Sequence, residues 1–172
     1  MNPELAPIFA RRSVRRYTDE DISDAEIRAL LEAAMAAPSA CCTDPWEFIV
    51  VRDAETRAAI ADALPNGKML ARAPAGIVVC GNLERAHGGE LSYLLQDCSA
   101  AIENLLLAAS MLGLGACWLG VHPRPDRIAK IRDLFSLPET ILPVSAIALG
   151  SPAETPPPRT RFRDEAVHWE RW

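Results

Sequence analysis

Residues 90–112 constrain what this chain can fold into more than any other segment. They read as one long helix that is apolar almost all round from Ala100 to Leu112, interrupted by Glu103 and Asn104. A helix without a polar face needs cover on more than one side. A chain of 172 residues is about one domain's worth at ~100–200 residues per domain. The sequence therefore predicts a single domain over 1–172 and a second copy of the chain as part of the helix's cover, hence a homodimer.

The remaining elements follow from period and punctuation. Asn2 and Pro3 mark the start of a short helix carrying Ile8 and Phe9. Ser23 with Glu26 forms a capping box ahead of Ile27, Leu30, Leu31, Ala34 and Met35 at helical spacing, and Pro38 closes that segment. Residues 46–51 and 76–81 are rich in aromatic, β-branched or continuous apolar residues and read as strands, the first leading into a helix over 53–64. Gly113 is a C-cap, 116–121 a strand, 125–135 a helix opened by proline, and 144–149 a last buried strand. Beyond 150, Pro152, Pro156, Pro157 and Pro158 stiffen an extended tail, 151–172, that wraps over a surface.

Charge excludes several classes. Eighteen Lys and Arg against 23 Asp and Glu leave a net charge of −5, which argues against nucleic acid or a membrane surface as partner. The N-terminus has no apolar run of the ~7–15 residues that a signal peptide needs. The longest uncharged apolar stretch, 105–121, is shorter than ~18 residues and broken by glycines. Five cysteines without a C-x-x-C pair, and no histidine at zinc-finger spacing, fit a reduced cytoplasmic compartment and no metal. Cys80, Cys98 and Cys117 lie in apolar runs and read as buried small residues. His87, His122 and His168 are widely spaced and each reads as a surface or core residue rather than a catalytic one.

The positive charge, though outnumbered, is gathered. Arg11, Arg12, Arg15 and Arg16 surround Ser13, and Arg159, Arg161 and Arg163 alternate along the stiffened tail, which would point all three to one side of an extended chain. Guanidinium forks beside a hydroxyl are equipment for gripping a phosphate. Two such clusters about 150 residues apart in an acidic chain predict convergence on one anion, with a phosphorylated cofactor as the natural candidate. Gly113, Gly115 and Gly120 do not make a dinucleotide fingerprint, because Trp118 stands where the third glycine belongs and the glycines precede a strand.

Four ordered motifs carry a resemblance. Arg11-Arg12-Ser13-Val14-Arg15-Arg16-Tyr17, Ala37-Pro38-Ser39-Ala40 ahead of Pro45-Trp46-Glu47-Phe48, the run from Gly113 to Gly120, and Pro-Pro-Arg159-Thr160-Arg161 are together similar to the FMN-dependent nitroreductases, over nearly the whole chain. The resemblance implies an α+β fold, a three-layer αβα sandwich with a mixed sheet, in an intertwined homodimer whose tail wraps the partner subunit. It implies FMN at the subunit interface. Arg11, Arg12, Ser13, Arg15, Arg159 and Arg161 would hold its phosphate and ribityl chain, Lys68 the pyrimidine edge, and backbone groups of Leu119 and Gly120 would approach N5. Pro38, Ser39, Ala40 and Cys42 would come from the other subunit. The implied activity is ping-pong transfer of hydride from NADH or NADPH to electron-poor acceptors such as nitroaromatics, quinones and activated alkenes, with the chemistry on the flavin and no dedicated catalytic side chain.

The chain departs from that pattern at Cys41-Cys42-Thr43-Asp44-Pro45-Trp46, where relatives commonly carry Asn, one residue, then Gln-Pro-Trp. A thiol and a carboxylate thus replace two amides, and the loop 82–89, Tyr93 and the two cysteines are the stretches placed to shape an acceptor pocket. Two other readings stay open at this level: a flavin-binding protein of the same fold without this turnover, and an anion-binding module that uses the arginines alone.

Overall fold

A computed structural model describes residues 2–172. Helix α1 (Ala6–Ala10) follows a 3-10 turn capped by Asn2, and the elements then run α2 (Asp24–Met35), β1 (Trp46–Val51), α3 (Ala54–Ala63), β2 (Ala75–Asn82), α4 (Leu91–Met111), β3 (Gly115–Gly120), α5 (Pro125–Phe135) and β4 (Ile141–Gly150). The strands form one sheet in the order β1-β2-β4-β3. Helices α1, α2 and α4 lie towards one face and α3 and α5 cover the other, which makes the three αβα layers.

Alternation along the strands builds the two interfaces. Ile77 and Val79 of β2 and Ile147 and Leu149 of β4 face α2 and α4, whereas Val78, Cys80, Ala146 and Ala148 face α3 and α5. These side chains are fully buried, and each large one contributes about 1.5–3 kcal/mol. Cys80, Cys98 and Cys117 are buried among them, and burial pushes the thiols of Cys80 and Cys98 up to about 12. They stay protonated.

All four strands pair antiparallel. The mixed character expected of the sheet reduces, among the described residues, to a single parallel bridge between Ser13 and Ala116, so the N-terminal segment touches the edge strand β3 without becoming a strand. Strand β4 starts three residues earlier than the sequence indicates. Pro143, which has no N–H to donate, is tolerated there because β3 reaches only as far as Ser145 and the β2 partnering shifts register at Val79 and Cys80.

The helix ends obey local chemistry. The Ser23 hydroxyl accepts from the Glu26 N–H at 3.2 Å while the Glu26 carboxylate accepts from the Ser23 N–H at 2.8 Å, closing the capping box. Helix α4 ends on Gly113 at φ 77°, with the Leu114 N–H donating back to the Ala109 carbonyl at 2.8 Å. Leu94, Cys98, Ala101, Ile102, Leu105 and Ala109 of α4 are buried within the chain, while Met111 and Leu112 stay 70% and 49% exposed. No helix among the described residues is long and apolar enough to cross a membrane.

Candidate functional site

The site starts from the edge strand. The Val14 N–H donates to the Ala116 carbonyl at 2.9 Å, and the buried Val14 side chain packs over Gly115, where a Cβ would lie only 2.7 Å from Val14 Cγ1. Glycine at 115 is what lets the segment 11–17 lie this close to the sheet. The Tyr17 hydroxyl donates to the Val14 carbonyl at 2.6 Å, and burial pushes that phenol above its ordinary range.

The tail returns along this segment. Thr18 N–H donates to Ser151 O and Ala153 N–H to Arg16 O, both at 2.9 Å, and farther on the Arg159 N–H donates to the Phe9 carbonyl at 3.1 Å. An Arg12 guanidinium N–H donates to the Pro157 carbonyl. These backbone ties, closed over about 140 residues, bring the two arginine clusters together.

Glu154 fastens the same junction. The Arg15 N–H donates to its carboxylate at 2.8 Å and Arg16 Nε at 3.1 Å, which together hold the carboxyl below the usual carboxylate range. A depressed carboxyl stabilises the docked tail above its unfolded pKa, about 4.3, and that contribution disappears as pH falls through the lower folded value. Acidification should therefore speed limited proteolysis after Arg159 and Arg161. Glu154→Gln should show the faster cleavage already at neutral pH and little further change with acid; equal cleavage of the two proteins at neutral pH would remove Glu154 from this role.

Two clefts meet at Arg15. One, of about 470 Å³, is lined by Ile8, Arg11, Arg12, Ser13, Arg15, Arg159 and Arg161. The other, of about 670 Å³, runs over the outer end of β3 and is lined in part by Arg15, Asn66, Lys68, Trp118, Leu119 and Gly120. The first holds five arginines and no acid. The Arg11 guanidinium pairs with Glu103 at 3.2 Å, and among the described residues the guanidiniums of Arg12, Arg15, Arg159 and Arg161 have no carboxylate partner. Like charges gathered without counter-charge in an acidic protein are unfavourable unless an anion joins them, and the forks of Arg12, Arg15, Arg159 and Arg161 suit an oxyanion. The second cleft offers backbone groups of a strand edge beside an indole and a lysine, a surface for a flat polar ring.

The arginine runs do not act as units. Arg16 turns to Glu154, and Arg163, which the alternation aligned with 159 and 161, lies outside the cleft with its guanidinium 4.0 Å from Glu165, because a 3-10 turn begins at Asp164. Pro38, Ser39, Ala40 and Cys42 line neither cleft of their own chain. Their loop is pinned at the start of α4 instead, with the Ala40 N–H donating to the buried Asp97 carboxylate at 3.0 Å. Sequence reasoning missed Asn66, Trp118 and Arg127. Arg127 sits in the first turn of α5 and donates to the Gly120 carbonyl at 2.8 Å; its only sequence signal is proximity to the end of a strand.

Comparison with known proteins is consistent across the chain. The model of a family described as the Nitroreductase family matches residues 8–68 and 63–151. A Methanothermobacter thermautotrophicus protein, provisionally named NADH dehydrogenase/NAD(P)H nitroreductase, is 46% identical over 98% of this chain and 87% of its own length. A crystal structure of a protein from Parabacteroides distasonis with the same provisional name superposes with a TM-score of 0.93 at 39% identity, covering 100% of both chains. Another, provisionally a nitroreductase from Desulfovibrio desulfuricans in complex with FMN, gives a TM-score of 0.85 at 34% identity over 100% of this chain and 99% of that one.

Proposed function

Since the chain belongs to the nitroreductase family, we propose that it is an FMN-dependent NAD(P)H oxidoreductase that reduces electron-poor acceptors. The observation that carries this reading is the arginine cleft, four of whose five guanidiniums have no carboxylate partner among the described residues, sharing Arg15 with the cleft over β3. When bound, FMN supplies the chemistry: its ring takes a hydride from NADH or NADPH and passes the reducing equivalents to a second substrate, alternately, in ping-pong order.

The protein's part is binding and orientation. Arg11, Arg12, Ser13, Arg15, Arg159 and Arg161 would grip the phosphate and ribityl chain by charge-assisted hydrogen bonds. Lys68 would place a cation at the pyrimidine edge, where negative charge is favoured by it, and the Leu119 and Gly120 backbone would meet the ring edge facing β3. Trp118, 38% exposed, gives the cleft an aromatic wall that suits flat acceptors such as nitroaromatics and quinones.

The working unit in this reading is a homodimer. Pro38, Ser39, Ala40 and Cys42, which line neither cleft of their own chain, would complete the site of a second copy. The exposed Met111 and Leu112 and the tail beyond Arg161, with Phe162, Trp169 and Trp172 exposed, offer it apolar surface. Purified protein should be yellow, release FMN on denaturation, sediment as a dimer at nanomolar concentration, and bleach anaerobically with NADH or NADPH. Colour without bleaching would mean a flavin-binding protein without this turnover. A colourless protein that takes up no added FMN would end the reading.

A further inference from the structure

We propose that Cys41 and Cys42 form a redox-active dithiol, in which Cys41 is oxidised by a peroxide and Cys42 captures the product as a reversible Cys41–Cys42 disulfide. Of the five cysteines these two are the exposed ones of the single chain; in the homodimer proposed above their loop would border the second copy's acceptor pocket, a space open to a small peroxide. Cys80, Cys98 and Cys117 are shut in the sheet interfaces and serve as internal controls.

Three features of the loop support the assignment. Cys41 Sγ lies 4.0 Å from His87 Nε2, so an imidazole stands within reach of the thiol proton. The His87 ring is itself held, edge-on against Tyr93 with centroids 5.2 Å apart. The loop is clamped on both sides of the thiols: Ser39 Oγ donates to Asp44 Oδ1 at 2.5 Å, Asp44 N–H returns to Ser39 Oγ at 3.0 Å, and Ala40 N–H donates to Asp97 Oδ1 at 3.0 Å. Asp97 is buried in α4 and its other oxygen has no hydrogen-bond partner among the described residues. Cys41 and Cys42 both sit in the left-handed region, at φ 52° and 55°, a conformation that costs a non-glycine residue about 1 kcal/mol or more and that the clamps maintain.

The chemistry balances with hydrogen peroxide as the sole co-reactant. His87 takes the Cys41 proton, the thiolate sulfur attacks a peroxide oxygen, the O–O bond breaks, and the departing oxygen is protonated and leaves as water. Cys41 is now a sulfenic acid. The Cys42 sulfur then attacks the Cys41 sulfur, the S–S bond forms, the S–O bond breaks and a second water leaves. Two thiols have lost two electrons to the peroxide. Neighbouring Cα atoms across a trans peptide are about 3.8 Å apart, short of the ~4.4–6.8 Å of a relaxed disulfide, so the bond is strained and easily reduced again. That makes the oxidation a reversible state of the loop.

The experiment uses intact protein treated with hydrogen peroxide and followed by peptide mass spectrometry. Expected is loss of two hydrogen atoms on the peptide bearing Cys41 and Cys42, reversed by a dithiol reductant, with the other three cysteines unchanged. Cys42→Ser should halt at a sulfenic acid on Cys41 that a dimedone probe traps. His87→Asn should slow the reaction by roughly tenfold or more, as loss of a proton acceptor does, with circular dichroism unchanged. Oxidation at 41–42 no faster than at the buried thiols would overturn the proposal. So would a trapped sulfenic acid on Cys42 in Cys41→Ser at the rate seen for Cys41. An unchanged rate in folded His87→Asn would remove the histidine, and with it the assigned order of attack.

Discussion

Arg15→Ala and Arg161→Ala should each weaken FMN binding by about 1.5–3 kcal/mol, the range for hydrogen bonds to charged groups, or roughly one to two orders of magnitude in Kd. Both guanidiniums line the arginine cleft and neither has a carboxylate partner among the described residues. Arg15 also borders the cleft over β3, so its loss should carry the larger effect. Arg163→Ala is the matched control, because its side chain lies beside Glu165 and outside the cleft. Titration of apo-protein with FMN, read by flavin fluorescence, measures all three. Affinity unchanged in both Arg15→Ala and Arg161→Ala would place the phosphate elsewhere, and a loss in Arg163→Ala as large as theirs would mean that the tail contributes only diffuse charge. Added salt should lower the wild-type affinity, since exposed guanidiniums are screened.

A second large effect is expected where α4 rests on β2. Leu94 is fully buried, and a Cβ built at Gly81 would lie 2.5 Å from its Cγ and Cδ2. Leu94→Ala should cost about 2–5 kcal/mol as a core cavity, and Gly81→Ala about 1–3 kcal/mol by overpacking. The double variant should cost less than their sum by about 0.5–3 kcal/mol, because each change relieves the other. Urea unfolding of apo-protein reads this cycle without the stabilisation that a bound ligand adds. Strict additivity would show that Leu94 does not fill the space above Gly81. The packing matters to the site because Asp97, one turn farther along α4, anchors the loop of Cys41 and Cys42 through Ala40.

Local chemistry in the sequence determined most of the elements. Helix α5 starts at Pro125, which fits only a first turn, and ends on Phe135 as the pattern indicates. The capping box at Ser23, the glycine stop at 113 and the strand 46–51 are legible for the same reason: each depends on residues within a few positions of one another. The resemblance named the fold class, and the two arginine clusters pointed to an anion.

Tertiary structure alone decided which of those charges face the anion. The guanidiniums of Arg12, Arg15, Arg159 and Arg161 line the cleft without carboxylate partners among the described residues, whereas that of Arg16 meets Glu154 and that of Arg163 lies beside Glu165, outcomes set by where the tail docks and where its 3-10 turn begins. It decided, too, that the sheet is antiparallel through Pro143, that Arg127 reaches Gly120, and that Cys41 stands beside His87. Residue spacing encodes the faces of helices and strands, which repeat every 3.6 or 2 positions. Pairings between segments tens of residues apart have no such period, and they are fixed only when the chain closes on itself and each polar group takes the partner that packing leaves within reach.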